Sequence, residues 1–351
     1  MRKTLKLGGF EVGSNCPPYV IAEVGSNHNG DMALCRQLID AAADAGANAV
    51  KFQSWTESSL IAEEEYVSNV EYADKKRHFG SLRDMVKAYQ LTTEQHYEAE
   101  TYCRKRGIAF CSTPFSADEV DLLDKLKVPF FKIASMDVGH LELLKHVARK
   151  QRPIVLSTGM ATISEIERAV LTMRAEGNDQ IALLHCISIY PPDYETINLR
   201  NIEMLSKTFD VTVGFSDHTM GIAIPLAAIA LGASIIEKHF TLDQEMAGWD
   251  HAISATPEQL SAIVTEGRNI VTALGSYPRI VSPAEIEKRR KFRRSLVAEQ
   301  ALPTGHTLSS QDLGAKRPGT GIAPEEQRYV IGRKLSRPIK ADQVIRWDDL
   351  S

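Results

Sequence analysis

Short β-branched, apolar runs alternate with longer stretches whose apolar residues recur at helical spacing, and this alternation fills the chain as far as residue 275. The short runs predict eight strands: YVIAEV (19–24), NAVKFQ (48–53), IAFCST (108–113), PFFKIA (129–134), PIVLST (153–158), IALLHC (181–186), VTVGFS (211–216) and SIIEKHF (234–240). MALCRQLIDAAADAGA, ADEVDLLDKLK and GIAIPLAAIALGA predict helices between them, and Gly-Ala, Lys-Gly or Arg-Gly pairs just ahead of strands read as helix C-caps. Eight βα units in series point to an α/β fold closed into a parallel (β/α)8 TIM barrel over residues 1–275. An open doubly wound sheet competes, but usually has fewer strands. Residues 54–80, a long mixed-charge insertion after the second strand, read as a lid or binding loop. Residues 276–292 are polar and basic with two prolines and read as a linker. Residues 293–351 carry short apolar pieces between the turn formers LPTGHT and RPGTGIAPEE, the pattern of a small β-rich domain that is marginal alone.

Composition narrows the classes. A hydrophobic fraction of 43% and a charged fraction of 25% are those of an ordinary globular protein. The net charge of −4 gives no global attraction to nucleic acid or anionic membrane, so any anion site is local, and KRRKFRR reads as a solvated face. MRKTLKLGGFEVGSNCPP has no apolar h-region and no run is long enough to cross a bilayer, so no membrane partner is expected. Five scattered cysteines, odd in number and without a CxxC pair, suit reduced thiols in the cytoplasm.

Chemistry collects at one end of the strands. In a parallel barrel the C-terminal strand ends form the active mouth. There stand Glu23, Lys51 and Gln53, Ser112 and Thr113, Lys132 and Ser135, Ser157, His185 and Ser188, Ser216, Asp217 and His218, and Glu237 and His239. Side-chain alternation puts Lys51 with Gln53, Ser216 with His218 and Glu237 with His239 on the inner face. Lys238 faces the other way and reads as an outward lysine whose head reaches water. His218 and His239 close adjacent strands and can share one divalent metal, since imidazole suits Zn, Mn, Fe, Co or Ni; the plainer reading is two hydrogen-bonded histidines at a rim. Two inward lysines beside hydroxyl donors ask for an anion such as a phosphate ester, or for pairing with Glu23 or Glu237. A Schiff-base aldolase with Lys132 as nucleophile is a second enzymatic reading. No GxGxxG or Walker sequence follows a strand.

EVGSNHNG (23–30), KFQ (51–53), CSTPFS (111–116), KIAS (132–135), LSTGM (156–160), GFSDHT (214–219), EKHFTLD (237–243) and KRPGTGI (316–322) together resemble the sialic acid, or nonulosonic acid, synthases. The resemblance runs through nearly the whole chain in order, and the tail resembles the antifreeze-like SAF domain (β-clip) that follows the barrel in that family. It implies condensation of phosphoenolpyruvate with the open-chain aldehyde of an N-acylated mannosamine-type sugar, with C–O cleavage and release of phosphate. It implies a divalent cofactor, Mn2+ first and Mg2+ or Co2+ as alternatives, on His218 and His239. By the same resemblance Lys51, Thr113, Lys132, Ser135, Ser157, Ser188 and Ser216 line the phosphoenolpyruvate site. Glu23 and Gln53 face the reacting carbons; Tyr190, Glu237 and Asp250 belong to substrate binding. Arg317 arrives from the partner of a domain-swapped homodimer to reach the N-acyl group. Ser188 in CISIYPP, where many members have Asn, GWDH (248–251) in place of GPDH, and KFQSW in place of KHQTH are departures from the neuraminate pattern that leave two expectations, an N-acetylneuraminate synthase acting on N-acetylmannosamine or its 6-phosphate, or a legionaminate-type synthase. Trp249 either lines the sugar pocket, where it suits a 6-deoxy, diacylated acceptor, or packs under the loop. An ice-binding role for the tail is opposed by Asp312, Lys316, Arg317, Glu325 and Glu326.

Overall fold

The computed structural model describes residues 4–74, 77–78 and 80–351, which fall into two compact units, Met1–Gly275 and Ser276–Ser351. In the first unit eight parallel strands are present: β1 (Tyr19–Gly25), β2 (Ala49–Ser54), β3 (Ala109–Pro114), β4 (Phe131–Ile133), β5 (Ile154–Ser157), β6 (Ile181–Cys186), β7 (Thr212–Asp217) and β8 (Ile235–His239). They pair in the order β3-β2-β1-β8-β7-β6-β5-β4, and β3 packs beside the three-residue β4 at the seam. Each strand is followed by a helix: α1 (Met32–Asp44), α2 (Thr93–Arg106), α3 (Ala117–Lys125), α4 (Leu141–Arg149), α5 (Ile163–Ala175), α6 (Asn201–Phe209), α7 (Ala223–Ala230) and α8 (Pro257–Leu274). This is the (β/α)8 barrel that the alternation implies. Among the described residues, no helix is long and apolar enough to cross a membrane.

Local chemistry sets the helix ends. Thr92 with Gln95, Thr162 with Glu165 and Thr256 with Gln259 form capping boxes that satisfy otherwise unpaired N–H groups at the starts of α2, α5 and α8. Gly107, of the Arg-Gly pair ahead of β3, closes α2 in the left-handed region at φ 72°.

Two apolar layers follow from strand alternation. Val20, Ala22, Val50, Phe52, Leu183 and Ile236 point outward and pack under the helices. Ile21, Ala49, Cys111, Val155, Leu184 and Ile235 point inward, where Leu5, Leu7 and Val12 of the N-terminal hairpin (Leu5–Leu7 with Phe10–Val12) join them. This inner layer gives the barrel a dry floor beneath the polar strand ends.

Two sequence expectations need correction. Lys238 does not reach water: its side chain is 1% exposed and ion-paired to Asp217 at 2.6 Å. A lone outward lysine on a barrel strand meets the helix layer, not solvent, so it needs a buried counter-charge. Ser112, His185 and Asp217 stand on the outer faces of β3, β6 and β7. Ser112 bonds to Ser54 at 2.7 Å, and His185 Nε2 lies 2.5 Å from the Ile197 carbonyl oxygen.

Within the second unit, Pro283–Phe292 is an exposed helix capped by Ser282 and Glu285, in the stretch whose composition reads as a linker. Strands Ser295–Ala298 and Leu313–Lys316 pair antiparallel over a small core that includes Leu296, Leu308, Val330 and Ile345. Of the insertion 54–80, residues 75, 76 and 79 lie outside the described residues; Glu57–Leu60 and Glu63–Ser68 are helical.

Candidate active site

The polar strand ends surround a cavity of about 470 Å³. Glu23, Lys51, Gln53, Thr113, Lys132, Ser135, Ser157, Ser188, Tyr190, Ser216, His218, Glu237, His239 and Asp250 all line it. Arg317 belongs to the other unit, where its guanidinium lies over the Phe292 ring at 4.9 Å.

Glu23 sits at the centre of the register, level with Lys51 on β2 and His239 on β8. Lys51 Nζ is 2.9 Å from Glu23 Oε2 and donates to Thr113 Oγ1 at 3.0 Å. Gln53 Nε2 donates to Glu23 Oε1 at 2.9 Å. Gly25 turns the chain at φ +54°, where a Cβ would come within 3.1 Å of Glu23 Oε1, so glycine keeps this contact open. Across the cavity, Lys132 Nζ donates to Ser157 Oγ at 2.7 Å and to the Ile133 carbonyl at 3.0 Å, and lies 3.6 Å from Glu237 Oε1. Ser216 Oγ donates to the same Glu237 oxygen at 3.0 Å. The two lysines thus face glutamates and hydroxyls together, and each is within ion-pair distance of a glutamate, as the pairing reading expects.

Burial governs the titration of these groups. Desolvation pushes the Glu23 carboxyl up to about 7 against the pull of Lys51, with Glu237 adding to the rise. Desolvation also works against the Lys51 ammonium, but the carboxylates of Glu23 and Glu237 outweigh it and leave its pKa above the usual lysine value. Lys132 ends below that value, because burial and repulsion from Lys51 exceed the help from Glu237.

The imidazoles form a separate group. The rings of His218 and His239 have centroids 5.4 Å apart, and Tyr190 packs against both, at 4.1 and 5.9 Å. His218 Nδ1 lies 2.7 Å from the Ile187 carbonyl oxygen. That oxygen can only accept, so Nδ1 carries a proton and, in the neutral ring, Nε2 is the nitrogen whose lone pair could hold a cation. Asp250 Oδ2 lies 3.8 Å from His239 Nδ1. Metal–nitrogen bonds of about 2.0–2.1 Å put two ligand rings at about this separation. Among the described residues no set of three His, Cys, Asp or Glu side chains is arranged to hold a metal. An ion on these two histidines would therefore keep most of its coordination positions for water and substrate.

Sequence patterns passed over several lining residues. Trp55, Leu60, Phe115, Met136 and Met160 face the cavity with Trp249. Trp55, Leu60, Phe115 and Trp249 also belong to an apolar cluster built with Tyr66, Leu82, Met85 and Val86, so much of this wall comes from the insertion after β2. Only the apolar letters of SWTESSLI hinted at it. Gly159 was also passed over as a packing requirement: a Cβ there would meet Ser188 Oγ at 2.3 Å and Ser135 Oγ at 2.9 Å.

Comparison with known proteins agrees with the motifs. Residues 38–278 match the NeuB family and residues 293–351 match the SAF domain. An uncharacterised protein of Methanocaldococcus jannaschii is 42% identical over 99% of this chain and 98% of its own. The N,N'-diacetyllegionaminic acid synthase of Legionella pneumophila is 37% identical over 100% and 99%, and that of Campylobacter jejuni 40% identical over 93% and 98%. The crystal structure of the N-acetylneuraminic acid synthetase of Leptospira borgpetersenii, 35% identical, superposes with a TM-score of 0.74 over 82% of this chain and 95% of its own. The chain belongs to the NeuB family of nonulosonic acid synthases, with a SAF domain at its C-terminal end.

Proposed function

We propose that this enzyme joins phosphoenolpyruvate to the open-chain aldehyde of an N-acylated hexosamine, and that its acceptor is a 2,4-diacylated, 6-deoxy sugar. One observation carries the reading: a single cavity holds two buried ammonium groups, a pair of imidazoles and an apolar wall of Trp55, Leu60, Phe115, Met136 and Trp249. The lysines with Thr113, Ser135, Ser157 and Ser216 suit the carboxylate and phosphate of phosphoenolpyruvate. The apolar wall suits acyl methyls and an unsubstituted C6. Legionaminic acid synthases among the similar proteins support the same acceptor class.

The chemistry balances with these groups. C3 of phosphoenolpyruvate forms a bond to the aldehyde carbon, and the aldehyde oxygen becomes a hydroxyl with the proton that Glu23 takes from water, while the C2 hydroxyl proton leaves with phosphate. Water adds to C2 as Glu23, whose carboxyl titrates near neutrality, takes its proton. The resulting C2 hydroxyl expels phosphate by C–O cleavage and leaves a 2-keto acid. A divalent metal on His218 and His239, Mn2+ or alternatively Mg2+ or Co2+, would supply Lewis-acid polarisation of the aldehyde. Five unpaired cysteines suit a cytoplasmic enzyme.

The decisive experiment is an acceptor panel with phosphoenolpyruvate and Mn2+: N-acetylmannosamine, its 6-phosphate and 2,4-diacetamido-2,4,6-trideoxymannose. Phosphate release should keep step with consumption of the trideoxy sugar and fall to background in EDTA. Faster turnover of N-acetylmannosamine would remove the acceptor assignment; no phosphate from any acceptor would remove the reaction. The aldolase reading draws on the lowered pKa of Lys132, but its ammonium is held by Ser157 and the Ile133 carbonyl. Borohydride treatment with pyruvate is expected to leave the mass unchanged. A reduced pyruvate adduct on Lys132 would reverse the ranking.

A further inference from the structure

The backbone ladder between β7 and β8 pairs Phe215 with Ile236, Ser216 with Glu237 and Asp217 with Lys238, and ends there. His239 is held on its other side by its pairing with Glu23 of β1, but His218 and His239 stand one step beyond the last β7–β8 rung, so no rung between these two strands fixes their separation. A pair of side chains on the far face of the sheet spans that step. Lys238 Nζ lies 2.6 Å from Asp217 Oδ2 and donates to the Thr219 carbonyl at 2.6 Å. Asp217 Oδ1 accepts from the Thr219 N–H at 2.9 Å. Both backbone groups of the residue after His218 are thereby tied to the two residues that precede the histidines.

Stability does not explain this arrangement. Both residues are 1% exposed, and withdrawing two charges from water costs about as much as their attraction returns. Two apolar side chains of similar volume would pack under the helices at no greater cost. They could not hold the N–H and C=O of Thr219. Resting on the two-imidazole cation site proposed above, we infer that Asp217 and Lys238 are positioning residues that set the spacing of His218 and His239 and thereby the affinity for a divalent cation.

The test compares wild type with Asp217→Leu/Lys238→Met, which removes both charges and both ties to Thr219 while keeping the branching of the first side chain and nearly the length of the second. Free Mn2+ is followed by electron paramagnetic resonance during titration, and the thermal transition of each metal-free protein is recorded. The Kd for Mn2+ should rise about 10- to 100-fold in the double variant, the usual effect of losing outer-sphere support, with the metal-free transition close to wild type. An unchanged Kd overturns the inference, whether or not the transition falls. Should the double variant not fold, Asp217→Glu keeps the charges but lengthens the arm; its Kd should also rise, and an unchanged value again overturns the inference. Wild type that binds no Mn2+ overturns the cation site and this inference together. Wild type that binds, with variants that bind equally well, overturns this inference alone.

Discussion

His239→Ala is expected to lower kcat by about 10³-fold with both substrates saturating, because loss of the cation would remove about 4 kcal/mol of charge stabilisation at the aldehyde oxygen. The fold should survive. His239 lines the cavity and packs against Tyr190, outside the apolar layers that close the barrel. Its thermal transition should therefore stay within about 4 °C of wild type, the shift that about 1 kcal/mol produces in a domain of this size. His218→Ala should match it. If both rings serve one ion, the double variant should be little worse than either single, because residues acting as a unit are strongly non-additive. Independent, multiplying losses would mean that the two rings have separate jobs, and near-normal turnover in either single variant would remove that ring from the cation site.

Much of this was legible because barrel geometry converts strand position directly into place. Once YVIAEV and SIIEKHF are strands of a parallel barrel, alternation puts Glu23, Glu237 and His239 inside at the open end and Ile235 on the floor below. The same rule sent Lys238 outward correctly but could not say what waits there. Whether the outer layer offers water or a carboxylate depends on Asp217, one strand away. Ser112 and His185 show a related limit: end position alone does not place a side chain in the cavity, since the residue's parity along the strand decides its face. The helix Pro283–Phe292 was signalled by Ser282, Pro283 and Glu285, a capping pattern, but basic composition outweighed it because no apolar stripe follows. The wall of Trp55, Leu60 and Phe115 was hardest to foresee. It is assembled from residues just past two strand ends, the last residue of the short helix Glu57–Leu60, and Trp249, with no period for a pattern to detect.

The two buried lysines should fail differently when each is replaced by methionine, which keeps the length and removes the charge. Lys132 is the ammonium with least compensation, held below its usual pKa by burial and by Lys51, so an incoming dianion relieves it most. Lys132→Met should raise the KM for phosphoenolpyruvate about 10²-fold, equivalent to about 3 kcal/mol for removing one member of a buried charge pair. The KM for the sugar should move much less. Lys51 instead faces Glu23, and its charge is the main force lowering a carboxyl that burial has pushed up to about 7. In wild type a base with that pKa loses its proton as pH rises through about 7, so kcat/KM should fall on the acid side of that value. Without the Lys51 ammonium the protonated form of Glu23 is favoured further. The acid limb of Lys51→Met should therefore move to higher pH, while Lys132→Met, more distant in the hydrogen-bond pattern, should keep its limb near the wild-type position. Profiles of kcat/KM against pH for the three proteins decide the matter. A limb that stays fixed in Lys51→Met would mean that the group titrating near neutrality is not Glu23, and the water-activating role would pass to another group in the cavity.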